Sequence, residues 1–211
     1  MQVRLLSRTE NAEWLCACAA ATCTNMNPTT KILEHAIASG HTGVLEHAVF
    51  TFEVTGLSRA ALAQLTRHRL ASFDVQSQRY VRIRDVEPVY PESILESEFG
   101  REAVALMEEV MNLYQRMVDA GIPYEDARYV TPQAVPTKLV LTMNARELLH
   151  FFSLRTCNRA QWEIRGMADM MLRICKQECP VIFKNAGPGC ARGACPERKP
   201  CGHPRKGEAT Q

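Results

Sequence analysis

Two phosphate-binding signatures are missing from this chain: no G-x-G-x-x-G follows a strand-like segment, and no G-x-x-x-x-G-K-[ST] occurs anywhere. A nucleotide held by a Rossmann or Walker loop is therefore excluded. An excess of charge of either sign is missing too. With 25 Lys and Arg against 23 Asp and Glu, the net charge is +2, so nucleic-acid binding through overall charge is not expected and any anion site must be local. Long hydrophobic runs are also absent. The longest, Trp14 to Ala21, is too short to span a bilayer, and Met1-Gln2-Val3-Arg4-Leu5-Leu6 lacks the apolar core of a signal peptide. A cytoplasmic protein with no membrane partner is expected. No repeat of fixed period is visible.

What remains is a 211-residue chain, 46% hydrophobic, sufficient for a single folded domain. We expect that domain over residues 1–185 and a separate tail over 186–211, where the composition turns to Gly, Pro, Cys, Lys and Arg without periodicity. Cysteine is abundant, at nine residues. In a reducing compartment these read as small buried hydrophobes or metal ligands, not as disulfides.

The pattern predicts a strand at Met1 to Leu6 and a small-residue helix at Glu13 to Thr22. A second helix follows, with Thr29 or Thr30 near its start, Gly40 just beyond its last turn and His41 in the turn that follows. "AVFTFEV" reads as a strand ended by Gly56. Ser58 then caps a helix that runs to about Thr66 and delivers the chain into Arg67-His68-Arg69. Between Ser93 and Ala120, Leu106, Val110, Leu113 and Met117 form an apolar stripe that predicts one long core-packed helix, stopped by Gly121. "KLVLTMN" is a strand, and "NARELLHFFSLR" a helix with Asn144 at its N-cap and Glu147 in capping-box position. Gln161 to Gln177 is the last long helix, ended by Pro180.

The stretch "RHRLASFDVQSQRY", residues 67 to 80, concentrates positive charge on what reads as a loop. Arginine forks grip phosphate or carboxylate in a planar, bidentate way. A helix C-terminus carries partial negative charge, so the guanidinium groups and not the backbone must attract any anion there. The plainer alternative is that Arg67 and Arg69 cap the preceding helix while Arg79 and Arg82 face solvent. A second basic cluster, Asn144, Arg146, His150, Arg155, Asn158 and Arg159, favours a large polyanionic ligand touching both.

Arg67-His68-Arg69, seven intervening residues and Ser77 reproduce an R-H-R-x7-S signature, continued by "SQRY". With "GHTGVLEHAVFTF", "GIPYEDAR", "NARELLHFF" and "QWEI" in order, the chain resembles the flavin-dependent thymidylate synthases from about residue 30 to 183. The resemblance implies an α+β fold, a mixed and largely antiparallel sheet flanked by helices, in a homotetramer with shared active sites. It implies conversion of dUMP to dTMP with FAD as cofactor, 5,10-methylenetetrahydrofolate as carbon donor and NADPH as reductant. By position, His68, Arg69, Asn144, Arg146 and His150 match flavin contacts, with His41 and Gly43 on a turn nearby. Gln64, Arg67, Ser77, Gln78, Arg79, Arg128 and Arg155 match the dUMP site, Arg155 as the catalytic group facing the uracil ring. There are two departures from the family pattern: Val75 and Gln76 stand where an acidic residue is frequent, and Arg159 where many members carry histidine.

Cys190, Cys195, Cys201 and His203 lie close together in the tail, with Cys175 and Cys179 upstream. Thiolates in a segment too polar to fold alone suggest a structural zinc site, the alternative being a reduced, unliganded tail. A competing reading of the whole chain is a nucleotide- or RNA-binding protein with a zinc-knuckle tail, which requires exposed aromatics among the basic residues; only Phe73 and Tyr80 qualify.

Overall fold

The structure, a computed structural model, describes residues 1–205; residues 206–211 of the expected tail lie outside the described residues. Its strands are β1 (Gln2–Arg8), β2 (Val49–Ser58), β3 (Ala71–Val75) and β4 (Pro136–Asn144). Its helices are α1 (Ala12–Thr24), α2 (Thr30–Ala38), α3 (Arg59–Leu65), α4 (Glu92–Leu95), α5 (Gly100–Asp119), α6 (Tyr124–Ala127), α7 (Ala145–Arg155), α8 (Trp162–Glu178) and α9 (Pro180–Phe183). The strands form one sheet in the order β1-β2-β4-β3, every pairing antiparallel. The class is α+β as implied, but the sheet, among the described residues, is antiparallel and not mixed.

Alternation decides which face of the sheet is covered. Phe50, Phe52 and Val54 of β2 and Leu139, Leu141 and Met143 of β4 are buried, while the intervening Thr51, Glu53, Val140 and Thr142 are not. Helices α1, α2, α7 and α8 contribute Cys16, Leu33, Phe151, Phe152 and Met167 to the same core. Edge-on aromatic contacts tie Phe183 of α9 to Phe50 and Phe152, at 5.5 and 6.0 Å between ring centres; each such pair contributes about 1 kcal/mol beyond its buried area. The open face carries Glu53 between Arg4 and Lys138, at 2.9 and 2.6 Å, across three strands.

Several expectations give way to local geometry. Gly56 does not end its strand: β2 continues through it as a bulge between Thr55 and Leu57, with φ at +78° and Met1 Cα only 3.2 Å from where a Cβ would stand. The expected loop after Arg69 contains β3, whose Ala71, Phe73 and Val75 pair with Met143, Leu141 and Leu139. The long helix from Ser93 is broken into α4 and α5. The Ser97 hydroxyl donates to Ile94 O and accepts from Phe99 N, and the chain passes so close that a Cβ on Gly100 would meet Leu95 O at 2.5 Å.

The apolar stripe of α5 is core only in part: Met111, Met117 and Val118 pack against a small cluster around Tyr114, while Leu113 is exposed. Only Gly100 and Tyr114 of that helix are buried, and Leu106 is 58% exposed. The reason is that α5 lies outside the main core and packs against the segment around Ile83, where Tyr114 Oη accepts from Ile83 N at 3.1 Å and Gln115 donates to Ile83 O at 2.7 Å. Pro180 ends α8 and also begins α9. None of the helices in the described residues is long and apolar enough to cross a membrane.

Candidate active site

Two short elements bring the basic clusters together. Ser58 caps α3, its hydroxyl accepting from Ala61 N at 3.1 Å and donating to the buried Glu163 carboxylate, which also accepts from Ser58 N at 2.6 Å. The start of α3 is thereby tied to α8, and its far end releases Arg67, His68 and Arg69. Helix α7 begins where β4 stops, with Asn144 Oδ1 accepting from Glu147 N at 2.9 Å. The reciprocal half of the expected capping box is not made; the Glu147 carboxylate turns to His68 instead, with Oε1 3.0 Å from Nδ1.

Between these elements lies a cavity of about 670 Å³ lined by Arg67, His68, Arg69, Asn144, Arg146, His150 and Arg155, together with Glu46 and Glu147. Seven of the residues singled out from the sequence therefore meet around one space. His68 is buried and lies between Glu147 and Arg155, whose Nε donates to His68 Nε2 at 3.0 Å. Burial pushes the His68 imidazolium below its ordinary pKa of 6.5; the Glu147 hydrogen bond opposes this and the Arg155 charge adds to it. Arg155 is held at its other end by the main-chain oxygen of Gln64, 3.3 Å from Nη2, which is Gln64's contribution here. Arg146 pairs with Glu46. A neighbouring cavity of about 750 Å³ shares Arg146 and His150 and is lined also by Thr42, Lys184 and Arg192. His41 and Gly43, at the start of a 3-10 turn over Thr42–His47, line neither cavity.

The other expected dUMP residues are elsewhere in the chain. Ser77 and Gln78 line a separate cavity of about 70 Å³ with Arg59, Arg82 and Arg84. Arg79 pairs with Glu125 at 2.8 Å and lies over the Tyr80 ring, 5.3 Å from its centre, and Arg128 Nε donates to Glu125 O. Sequence reasoning missed Arg59. Its Nε is buried without a hydrogen-bond partner among the described residues, and burial, then the nearby Arg128 charge, lowers its pKa. The available signal was its position: it is the first residue of α3, where the positive end of a helix disfavours a cation unless an anion joins it.

The sequence matches the family described as "Thymidylate synthase complementing protein" over residues 4–181. The chain belongs to this family. A "Flavin-dependent thymidylate synthase" of Geobacter sulfurreducens is 47% identical over 212 residues, covering 93% of this chain and 91% of that protein. One of Thermococcus onnurineus is 48% identical over 175 residues, covering 78% and 71%, and one of Clostridium tetani 37% over 226 residues, covering 93% and 91%.

In this member of the family, the tail rests on the link between α7 and α8. Asn158 donates to His203 O at 2.7 Å, Arg159 to Lys199 O, and Arg205 to Thr156 O at 2.7 Å while pairing with Asp169. Arg159 is thus a docking contact for the tail. The expected zinc set does not assemble. Cys190, Cys195, Cys201 and His203 line one cavity of about 280 Å³ with Cys157, but no group of three or more His, Cys, Asp or Glu among the described residues is arranged to hold a metal ion. The backbone is pinned by side chains of the folded body, and the Cys190 and Cys201 thiols are turned toward the carbonyls of Arg205 and His203.

Proposed function

We propose that the chain is a flavin-dependent thymidylate synthase, converting dUMP to dTMP in the cytoplasm with FAD, NADPH and 5,10-methylenetetrahydrofolate. The observation that carries this reading is the convergence of Arg67, His68, Arg69, Asn144, Arg146, His150 and Arg155 on one cavity. The residues present suit a flavin dinucleotide. Its diphosphate needs several cationic forks where no backbone loop is available, and Arg69 and Arg146 supply them beside the donors of Asn144 and His150. Bound flavin supplies the hydride.

Arg155 is the catalytic group in this reading. Two of its donors are fixed on His68 and Gln64 O, so its plane is set before substrate arrives. The remaining N–H groups can stabilise negative charge developing on the uracil ring without reorganisation. Arg67 serves the nucleotide phosphate. Ser77 is a phosphate ligand and not a nucleophile in this reading, since its hydroxyl accepts from Arg79 N and no His, Asp or Glu among the described residues lines its cavity.

The remaining phosphate ligands, Ser77, Gln78, Arg79, Arg128 and Arg59, belong to a second copy in a homotetramer. Supporting this are the separation of the two half-sites within one chain and the apolar surface at α4 and α5, where Leu95, Phe99 and Leu106 are exposed. The RNA-binding alternative loses one of its two aromatics: Phe73 is half-buried against the core.

The test is dTMP formation from dUMP with methylenetetrahydrofolate and NADPH, with and without FAD. We expect yellow protein and FAD-dependent turnover. Arg155→Ala is expected to keep flavin absorbance and lose dUMP turnover. A colourless protein binding RNA with steep salt dependence would replace this reading with the alternative.

A further inference from the structure

Glu147 occupies a position in the first turn of α7 where a carboxylate ordinarily caps its own helix, yet it is buried, at 6% exposure, and directed at His68. A buried carboxylate is costly to desolvate, and an apolar residue would serve packing better. Its contacts give a reason for its presence. Guanidinium nitrogens only donate, so the 3.0 Å contact between Arg155 Nε and His68 Nε2 requires a lone pair on Nε2. The ring proton is then on Nδ1, where it donates to Glu147 Oε1. An acceptor at Glu147 selects the Nδ1–H tautomer, and only that tautomer can receive Arg155. A doubly protonated ring, or the Nε2–H tautomer, would set one N–H against another.

Further contacts constrain both His68 and Arg155. The Phe151 ring meets His68 edge-on with centres 5.0 Å apart, fixing the plane of the imidazole. The carbonyl of Gln64 anchors Arg155 at Nη2. His68 is faced by Glu147 and His150 from α7 and by Arg155 at the end of that helix. Of these only the Glu147 carboxylate can accept a proton-bearing Nδ1 while leaving Nε2 free for Arg155.

We propose that Glu147 is a positioning residue: by fixing the tautomer of His68 it orients the Arg155 guanidinium that faces the substrate cavity. This rests on the reading of Arg155 as the uracil-facing group. The consequence is that an amide at position 147, which keeps a carbonyl acceptor for Nδ1–H, preserves the arrangement, whereas an aliphatic side chain releases it.

Two measurements on the flavin-loaded protein test this. Nitrogen-15 NMR of histidine-labelled protein, with the His68 signals assigned by their loss in His68→Gln, reads the tautomer directly. A neutral Nδ1–H ring is expected in the native protein, and a shift toward Nε2–H in Glu147→Leu. Steady-state kinetics of the same proteins should show kcat for dTMP formation reduced about 10- to 100-fold in Glu147→Leu, with a smaller change in KM for dUMP. Glu147→Gln should recover most of the loss. A native ring carrying its proton on Nε2, or on both nitrogens, overturns the proposal, even where Glu147→Leu fails to fold. So does a Glu147→Leu protein with native tautomer and native kcat. A native protein that makes no dTMP overturns the proposed function instead, while the NMR result still decides the tautomer.

Discussion

His68 links folding stability to pH through a single side chain. Its folded-state pKa is depressed below the ordinary 6.5 by burial, with Arg155 and His150 adding to the effect and Glu147 opposing it. The unfolded chain therefore binds a proton at this residue more readily than the folded one. Stability rises with pH in the interval between the two values, is fully present above 6.5, and is lost as pH falls below it. Glu53 acts in a different window. Its hydrogen bonds to Lys138 and Arg4 hold it below its ordinary 4.5, so its contribution disappears only in more acidic solution. We expect the urea midpoint to fall between pH 7 and pH 5, and His68→Gln to flatten that dependence. An equally steep fall in the variant would assign it to other groups. The buried cysteines of the body need no such role. Burial pushes Cys16 and Cys179 up to about 11 and raises Cys175 well above the ordinary thiol value, leaving these three as the small hydrophobes that their composition suggested.

Among the secondary-structure elements, α3 is the one on which the site most depends, because its C-terminus carries the R-H-R triplet. Ser58→Ala removes the cap to Ala61 N and one partner of Glu163. We expect a loss of about 2 kcal/mol, read as a shift of the urea midpoint, with Ser58→Thr close to native because the hydroxyl remains. The caps at Ser58 and Asn144 were legible in the sequence, and the one at Thr29 to within a residue, because a cap is a rule over three or four residues. The Glu163 partner was not, being 105 positions from Ser58. The break at Ser97 escaped for a different reason: the apolar period runs on either side of it, while the hydroxyl that diverts the backbone is one serine among many. Gly56 reads the same way whether it ends a strand or bulges it. The contact with Met1 that decides between them is a tertiary one.

At the scale of the whole molecule, both basic clusters could be read from ordered motifs, but their meeting could not. It follows from β3 and β4 pairing antiparallel, which sets the chain after Arg69 beside the start of α7. Equally invisible was the separation of Ser77, Gln78, Arg79 and Arg128 from Arg155, since linear spacing puts Ser77 only ten positions from Arg67. That separation permits a test of the proposed tetramer which single variants cannot provide. Arg155→Ala removes one half-site and Arg79→Ala the other, and each alone is expected to be nearly inactive. If every active site takes its Arg155 half from one subunit and its Arg79 half from another, tetramers assembled from equal amounts of the two variants contain sites in which both halves are native. Random assortment in a closed symmetric assembly makes these about a quarter of all sites. Co-expression of the two variants, with dTMP formation measured on the mixed species, should therefore recover roughly a quarter of native activity. A site built within one subunit predicts no recovery at all, because every subunit then carries one damaged half.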